Sequence, residues 1–113
     1  MKARPAPSGL LALERSVTGT TISSEGLDLR RRRLLYRSWH RGTREMDLIM
    51  GRFADATIAT LSPAELDAFE RLSDVPDGEL YAWIAGDFPV PEIHDTPLFR
   101  RLRDFQLRSG ERS

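Results

Sequence analysis

The chain reads as all-α, a small five-helix bundle, and three observations carry that expectation. Apolar residues recur at helical spacing in each segment from Leu27 to Leu107, most clearly Met46, Ile49, Met50 and Phe53. Helix-start signals precede these stripes, the strongest being Ser62-Pro63-Ala64-Glu65, a capping box with proline at the first helical position. No segment alternates with period two for long enough to make a strand.

Residues 1–26 are rich in Ser, Thr, Gly, Pro and Ala and lack sustained periodicity, which predicts a disordered tail. Asp28 is suited to cap a first helix carrying Leu34, Leu35 and Trp39. Arg30 to Arg33 fall in its first turns, where the helix dipole favours acids, so they serve something other than helix stability. A second helix opens near Thr43, and its stripe continues through Thr57, Ile58 and Leu61. The capping box then opens a third, with Leu66, Phe69 and Leu72 inward. Ser73-Asp74-Val75-Pro76 ends it and begins a fourth, with Asp74 read as a cap; that helix carries Leu80, Trp83 and Ile84 and stops at Gly86. The prolines of Phe88-Pro89-Val90-Pro91 impose an extended link. Thr96-Pro97 caps a fifth helix with Leu98, Leu102 and Phe105. The expected division is a tail over 1–26, a helical domain over 27–107 and a C-terminal tail over 108–113. The expected core includes Phe53, Leu66, Phe69, Leu80, Trp83 and Leu102.

A chain of 113 residues makes one domain at most. Seventeen basic and seventeen acidic residues cancel, leaving no overall field to draw in nucleic acid or membrane. The charges are segregated, however. Arg30 to Arg52 holds eight arginines against Glu45 and Asp47, and Phe53 to Thr96 holds ten acids against Arg71 alone. Such a dipolar molecule is suited to docking in a defined orientation. There is no cysteine, which excludes disulfides, thiolate metal sites and thiol nucleophiles. Apolar runs fall far short of the ~20 residues needed to span a bilayer. Leu10, Leu11 and Leu13 are soon followed by Glu14 and Arg15, so no secretory h-region forms. Glu14, Glu25 and few arginines argue against a mitochondrial presequence, and a cytoplasmic location is expected over the mitochondrial matrix.

The stretch Arg41-Gly42-Thr43-Arg44-Glu45 places a forked cation, a bare backbone patch and a carboxylate within five residues. On a helix, Arg41 and Glu45 would share one face. Gly42 would let another backbone or a planar group approach closely. Read blandly, this is an exposed helix entry with a weak ion pair. Other candidates are weaker. His40 reads as a surface group at a helix end and His94 as a loop residue, and neither has metal-ligand spacing. Asp74, Asp77 and Glu79 lack the loop that calcium requires. Trp83 beside Tyr81, and Met46 with Met50, sit at core spacing. No nucleotide-binding loop, dinucleotide fingerprint or hydrolase elbow occurs. The arginine run points to nucleic acid, but the acidic segment in the same domain would repel phosphate.

Taken together, Arg31-Arg32-Arg33-Leu34, Ser38-Trp39-His40-Arg41-Gly42-Thr43-Arg44-Glu45-Met46-Asp47, Leu66-Asp67-Ala68-Phe69-Glu70 and Leu80-Tyr81-Ala82-Trp83-Ile84 resemble the succinate dehydrogenase flavin-assembly factors, bacterial SdhE and its mitochondrial counterpart. The resemblance runs from about Leu27 to Leu107, in order and with similar gaps. It implies a five-helix fold without catalytic activity of its own. It also implies binding to the flavoprotein subunit of succinate dehydrogenase, or of fumarate reductase, and promotion of covalent FAD attachment to a histidine there. Arg41, Gly42 and Glu45 match the motif that faces the partner, and their neighbours His40, Arg44 and Asp47 complete the expected partner-binding set. His40 and Thr43 depart from the family, which commonly has arginine and often methionine at those positions. The tail over 1–26 has no counterpart in the shorter members.

The leading expectation is therefore an assembly factor, not an enzyme. It is expected to be a monomer that holds no FAD stably by itself and no metal, and that neither binds nucleic acid nor inserts into a membrane. The alternative is a helical module whose arginine face recognises an acidic partner or RNA. No nucleophile–base pair is visible to support an enzyme.

Overall fold

The computed structural model describes residues 26–112, with side chains through residue 108, and consists of five α-helices and two 3₁₀ turns. In chain order these are α1 (Leu29–Trp39), α2 (Arg44–Thr57), a 3₁₀ turn (Ile58–Thr60), α3 (Pro63–Ser73), α4 (Asp77–Ala85), a second turn (Glu92–His94) and α5 (Pro97–Arg112). There is no strand among the described residues. The expected tail lies outside them apart from Gly26. At the other end α5 continues to Arg112, past the expected limit at Leu107.

The start signals act as their chemistry dictates. The Asp28 carboxylate accepts from the Arg31 N–H, and the Thr43 hydroxyl from the Met46 N–H. Ser62 and Glu65 complete a reciprocal capping box, and Thr96 Oγ1 accepts from the Phe99 N–H at 3.1 Å. Gly86 closes α4 in the left-handed conformation, at φ 86°. Two expectations need correction. The second helix ends at Thr57, where the chain tightens into the 3₁₀ turn, although Ile58 and Leu61 remain buried. Asp74 is a helix cap, but at the C-terminus of α3, where its backbone N–H donates to the Arg71 and Leu72 carbonyls; Pro76, not Asp74, precedes α4, and the Asp74 carboxylate accepts from Arg37 at 2.6 Å.

The core is centred on Phe53, whose ring meets Phe69 at 5.6 Å and Phe105 at 5.7 Å. Phe53, Leu66, Phe69, Leu80, Trp83 and Leu102 are all buried, as the stripes predict. Phe99, absent from the expected stripe of the last helix, is fully buried too, while Phe105 packs at the core's edge. His94 is not a free loop residue: it lies in the second 3₁₀ turn and stacks on Trp83 at 5.4 Å.

The segregated charges have an internal use. Arg30 clamps Asp67 and Glu70 on α3, Arg37 reaches Asp74, Arg41 reaches Asp77, and Arg101 reaches Glu65. Arg31 donates to the carbonyls of Ile58 (2.9 Å) and Leu61 (2.5 Å), closing the end of α2, and pairs with Asp28. Half of the basic segment's eight arginines are thus tied to the acidic segment, and Arg30 and Arg31 are half-buried rather than part of a uniformly exposed face. Arg32 and Arg33 are exposed. Most of these pairs are solvent-accessible and individually contribute little to stability. Their main effect is to fix which helix lies beside which.

Hydrogen bonds from Arg30 hold the Glu70 carboxyl below its ordinary range. The Ser62 N–H does the same for Glu65, and the Arg31 N–H for Asp28. A lowered folded-state pKa gives stability that is present above the unfolded value and lost as pH falls through the folded one. The melting temperature is therefore expected to be level between about pH 7 and 5 and to fall below about pH 4, where unfolded carboxyls protonate. Thermal melts across that range check this.

Candidate functional site

The four residues between α1 and α2 organise the site. His40 ends α1; its Nδ1 lies 2.7 Å from the Tyr36 carbonyl oxygen, and its ring stacks on Tyr36 at 3.8 Å. A carbonyl can only accept, so Nδ1 carries a proton and donates it. Arg41 follows, outside either helix. Its backbone N–H donates to Asp47 at 2.5 Å, which braces the turn against the first turns of α2.

The Arg41 side chain runs inward. Nε donates to Asp77 Oδ1 at 2.9 Å, Nη1 to the Ser73 carbonyl at 2.5 Å and Nη2 to the Val75 carbonyl at 2.8 Å. Only 8% of the side chain is exposed. Ser73 is the last residue of α3 and Asp77 the first of α4, so one guanidinium satisfies carbonyls at the end of α3 and ties the α1–α2 turn to the α3–α4 joint. The expectation of an accessible Arg41 sharing a helix face with Glu45 is corrected on both counts. A planar fork meets three differently placed acceptors here, and lysine would supply only a point charge.

Gly42 is exposed with φ 112°, and a Cβ at this position would meet nothing within 4 Å. The glycine is needed for its backbone conformation, and its surface is open to an approaching group. Gly42→Ala is expected to cost about 1–2 kcal/mol from the left-handed strain, more than an ordinary surface change. A denaturant midpoint lowered at unchanged slope is the signature.

Arg44, the first residue of α2, is exposed and has no ion pair among the described residues. Glu45 is also exposed, and its carboxylate faces α4. There its charge and a hydrogen bond from the Tyr81 phenol raise that phenol's pKa above the ordinary tyrosine value. The six expected residues therefore divide. His40, Gly42, Arg44 and Asp47 meet with Trp39, Thr43 and Leu48 around an open surface recess of about 500 Å³. Arg41 and Glu45 point to α4, one as a buried brace and the other as a presented carboxylate.

Trp39 and Gly51 form a further part of the site that was not read from the sequence. The indole lies directly over Gly51, where a Cβ would come within 2.2 Å of the ring, and its N–H donates to Asp55 at 3.1 Å. The recess wall is thus a tryptophan seated on bare helix backbone. A glycine inside a helix costs about 1 kcal/mol relative to alanine, and that cost was the available signal.

Comparison with known proteins places this geometry in context. The family model described as flavinator of succinate dehydrogenase matches residues 32–106. The FAD assembly factor SdhE of Acetobacter pasteurianus is 38% identical over 96 residues, covering 84% of this chain and 88% of that protein. The mitochondrial succinate dehydrogenase assembly factor 2 of Debaryomyces hansenii is 37% identical over 73 residues, 65% of this chain and 51% of that one. Its Danio rerio namesake is 33% identical over 85 residues, covering 74% and 54% respectively. The chain thus matches most of the bacterial relative and about half of each mitochondrial one.

Proposed function

Since the chain belongs to the family of flavinators of succinate dehydrogenase, we propose that it is an assembly factor, not an enzyme, that binds the flavoprotein subunit of succinate dehydrogenase and promotes covalent attachment of FAD to it. The observation that carries this reading is the braced turn: Arg41 and Asp47 fix a loop from which Gly42 offers open backbone and Glu45 an exposed carboxylate. Those features suit a partner rather than a substrate. The recess is open, which supports a reading in which the flavin is held by the partner and the chain binds no FAD stably by itself.

Flavin attachment requires loss of a proton from the ring's methyl group and stabilisation of the negative charge developing on the ring, and both depend on electrostatic positioning. The contribution of this chain is to bind one conformation of the flavoprotein more tightly than others and so raise its population. Within that conformation Glu45, steadied by Tyr81, accepts from a partner donor. Arg44 and the His40 ring flank the recess, and Gly42 permits close backbone contact. Arg41 acts indirectly, by holding the turn. A fumarate reductase flavoprotein of similar surface is a second client in this reading, the working state is a monomer, and the location is the bacterial cytoplasm. No described helix is long and apolar enough to cross a membrane.

The direct test is to incubate the purified chain with an apo flavoprotein subunit and FAD. Flavin fluorescence that survives denaturing electrophoresis, and increases with the chain present, supports the proposal. Equal covalent flavin with and without the chain contradicts it.

A further inference from the structure

Seven arginines of the described side chains are spent inside the fold: Arg30, Arg31, Arg37, Arg41, Arg100 and Arg101 in ion pairs and Arg103 over the Phe99 ring. Arg32, Arg33, Arg44, Arg52, Arg71 and Arg108 are different: all six are exposed, and none has an ion pair among the described residues. The first four, on α1 and α2, also fall on one face. The Arg31 bond to Ile58 places the start of α1 beside the end of α2, so the two helices form an antiparallel hairpin. His40, Arg44 and Leu48 line the same recess. One turn back from His40 is Tyr36, stacked on it, and one turn further back is Arg32, with Arg33 beside it. One turn beyond Leu48 on α2 is Arg52. The hairpin face thus carries cations at both ends of a strip made of Tyr36, the Trp39 edge and Leu48. Two acids of the hairpin, Asp47 and Asp55, are turned to internal work, Asp47 accepting from the Arg41 N–H and Asp55 from the Trp39 indole.

We infer that this hairpin face is an electrostatic docking surface for an acidic segment of the flavoprotein partner, extending recognition about 12 Å beyond the glycine turn, from His40 back to Arg32. The inference rests on the proposed assembly function and adds the chemistry of the contact. Charge complementarity favours such a partner. A chain with equal numbers of acids and bases keeps four cations unneutralised on one face, around apolar surface that an extended segment of four or five residues would cover. Rim charges of this kind set the rate of encounter and its salt dependence more than they set final affinity.

The test measures association of the full chain with the apo flavoprotein subunit at several salt concentrations. The triple charge reversal Arg32→Glu, Arg33→Glu, Arg52→Glu touches no internal pair, and an unchanged melting temperature confirms that it folds. Its association rate at low salt is expected to fall at least tenfold and to become nearly salt-independent, whereas Arg→Lys at the same three positions keeps the rate within about twofold, because steering needs charge and not the guanidinium fork. An unchanged rate for the triple glutamate variant overturns the inference while leaving the assembly function standing. So does sub-micromolar binding of the unaltered chain to random duplex DNA at physiological salt that the triple variant loses. Failure of the unaltered chain to bind the flavoprotein at all overturns both readings.

Discussion

Replacing Arg41 by alanine is expected to lower the stability of the chain by about 2–4 kcal/mol, a loss typical of removing one member of a buried ion pair. The structure explains why a residue in an exposed turn should matter so much. The substitution strands Asp77 without its cation and leaves the Ser73 and Val75 carbonyls without their donor. It also frees the α1–α2 turn from the α3–α4 joint. Asp77 is 26% exposed, so water recovers part of the loss, and the figure stays below the fully buried extreme. Arg41→Lys should recover less than half, since one ammonium cannot reach three acceptors in different directions. Chemical denaturation of both variants checks the order. Loss of partner flavinylation should follow the loss of fold, because Arg41 works by placing its neighbours.

The second large effect is expected at Gly51. A methyl group there would sit 2.2 Å from the Trp39 ring, so the indole must leave its seat and break its bond to Asp55. Overpacking of this kind costs about 1–3 kcal/mol. The gain in helix propensity from glycine to alanine, about 1 kcal/mol, offsets part of it. Gly51→Ala should therefore be net destabilising, against the usual rule for a helical glycine. Trp39 fluorescence should report a more solvated indole in the folded state. A stabilised variant with unchanged emission would show that the tryptophan relaxes freely and that the recess wall is not fixed.

The helices were legible because their signals are local. Ser62, Pro63 and Glu65 cap one another within four residues, and the Phe53 and Phe69 stripes need only the helical period to be seen. The partners of the arginines were not, since Arg30 finds Asp67 and Glu70 only once α1 lies on α3. The same gap misplaced Arg41. Four residues before Glu45 suggests one helix face, but Gly42 at φ 112° breaks the chain out of helix and sends the two side chains separately towards α4. The motif's position was legible in the sequence. The division between brace and presented surface was not, because it depends on one backbone angle and a distant carbonyl pair.

That division makes Glu45→Ala the most direct test of the central claim that the turn presents a surface by which the chain promotes flavin attachment to its partner. Glu45 is exposed and pairs with the Tyr81 phenol among the described residues, so the variant should stay within about 0.5 kcal/mol of the parent. Covalent flavin on the partner subunit, measured in parallel with the melting temperature, should nevertheless fall at least tenfold, as expected when a charged contact at an interface centre is removed. A folded Glu45→Ala chain that supports flavin attachment at the parental rate would contradict the account.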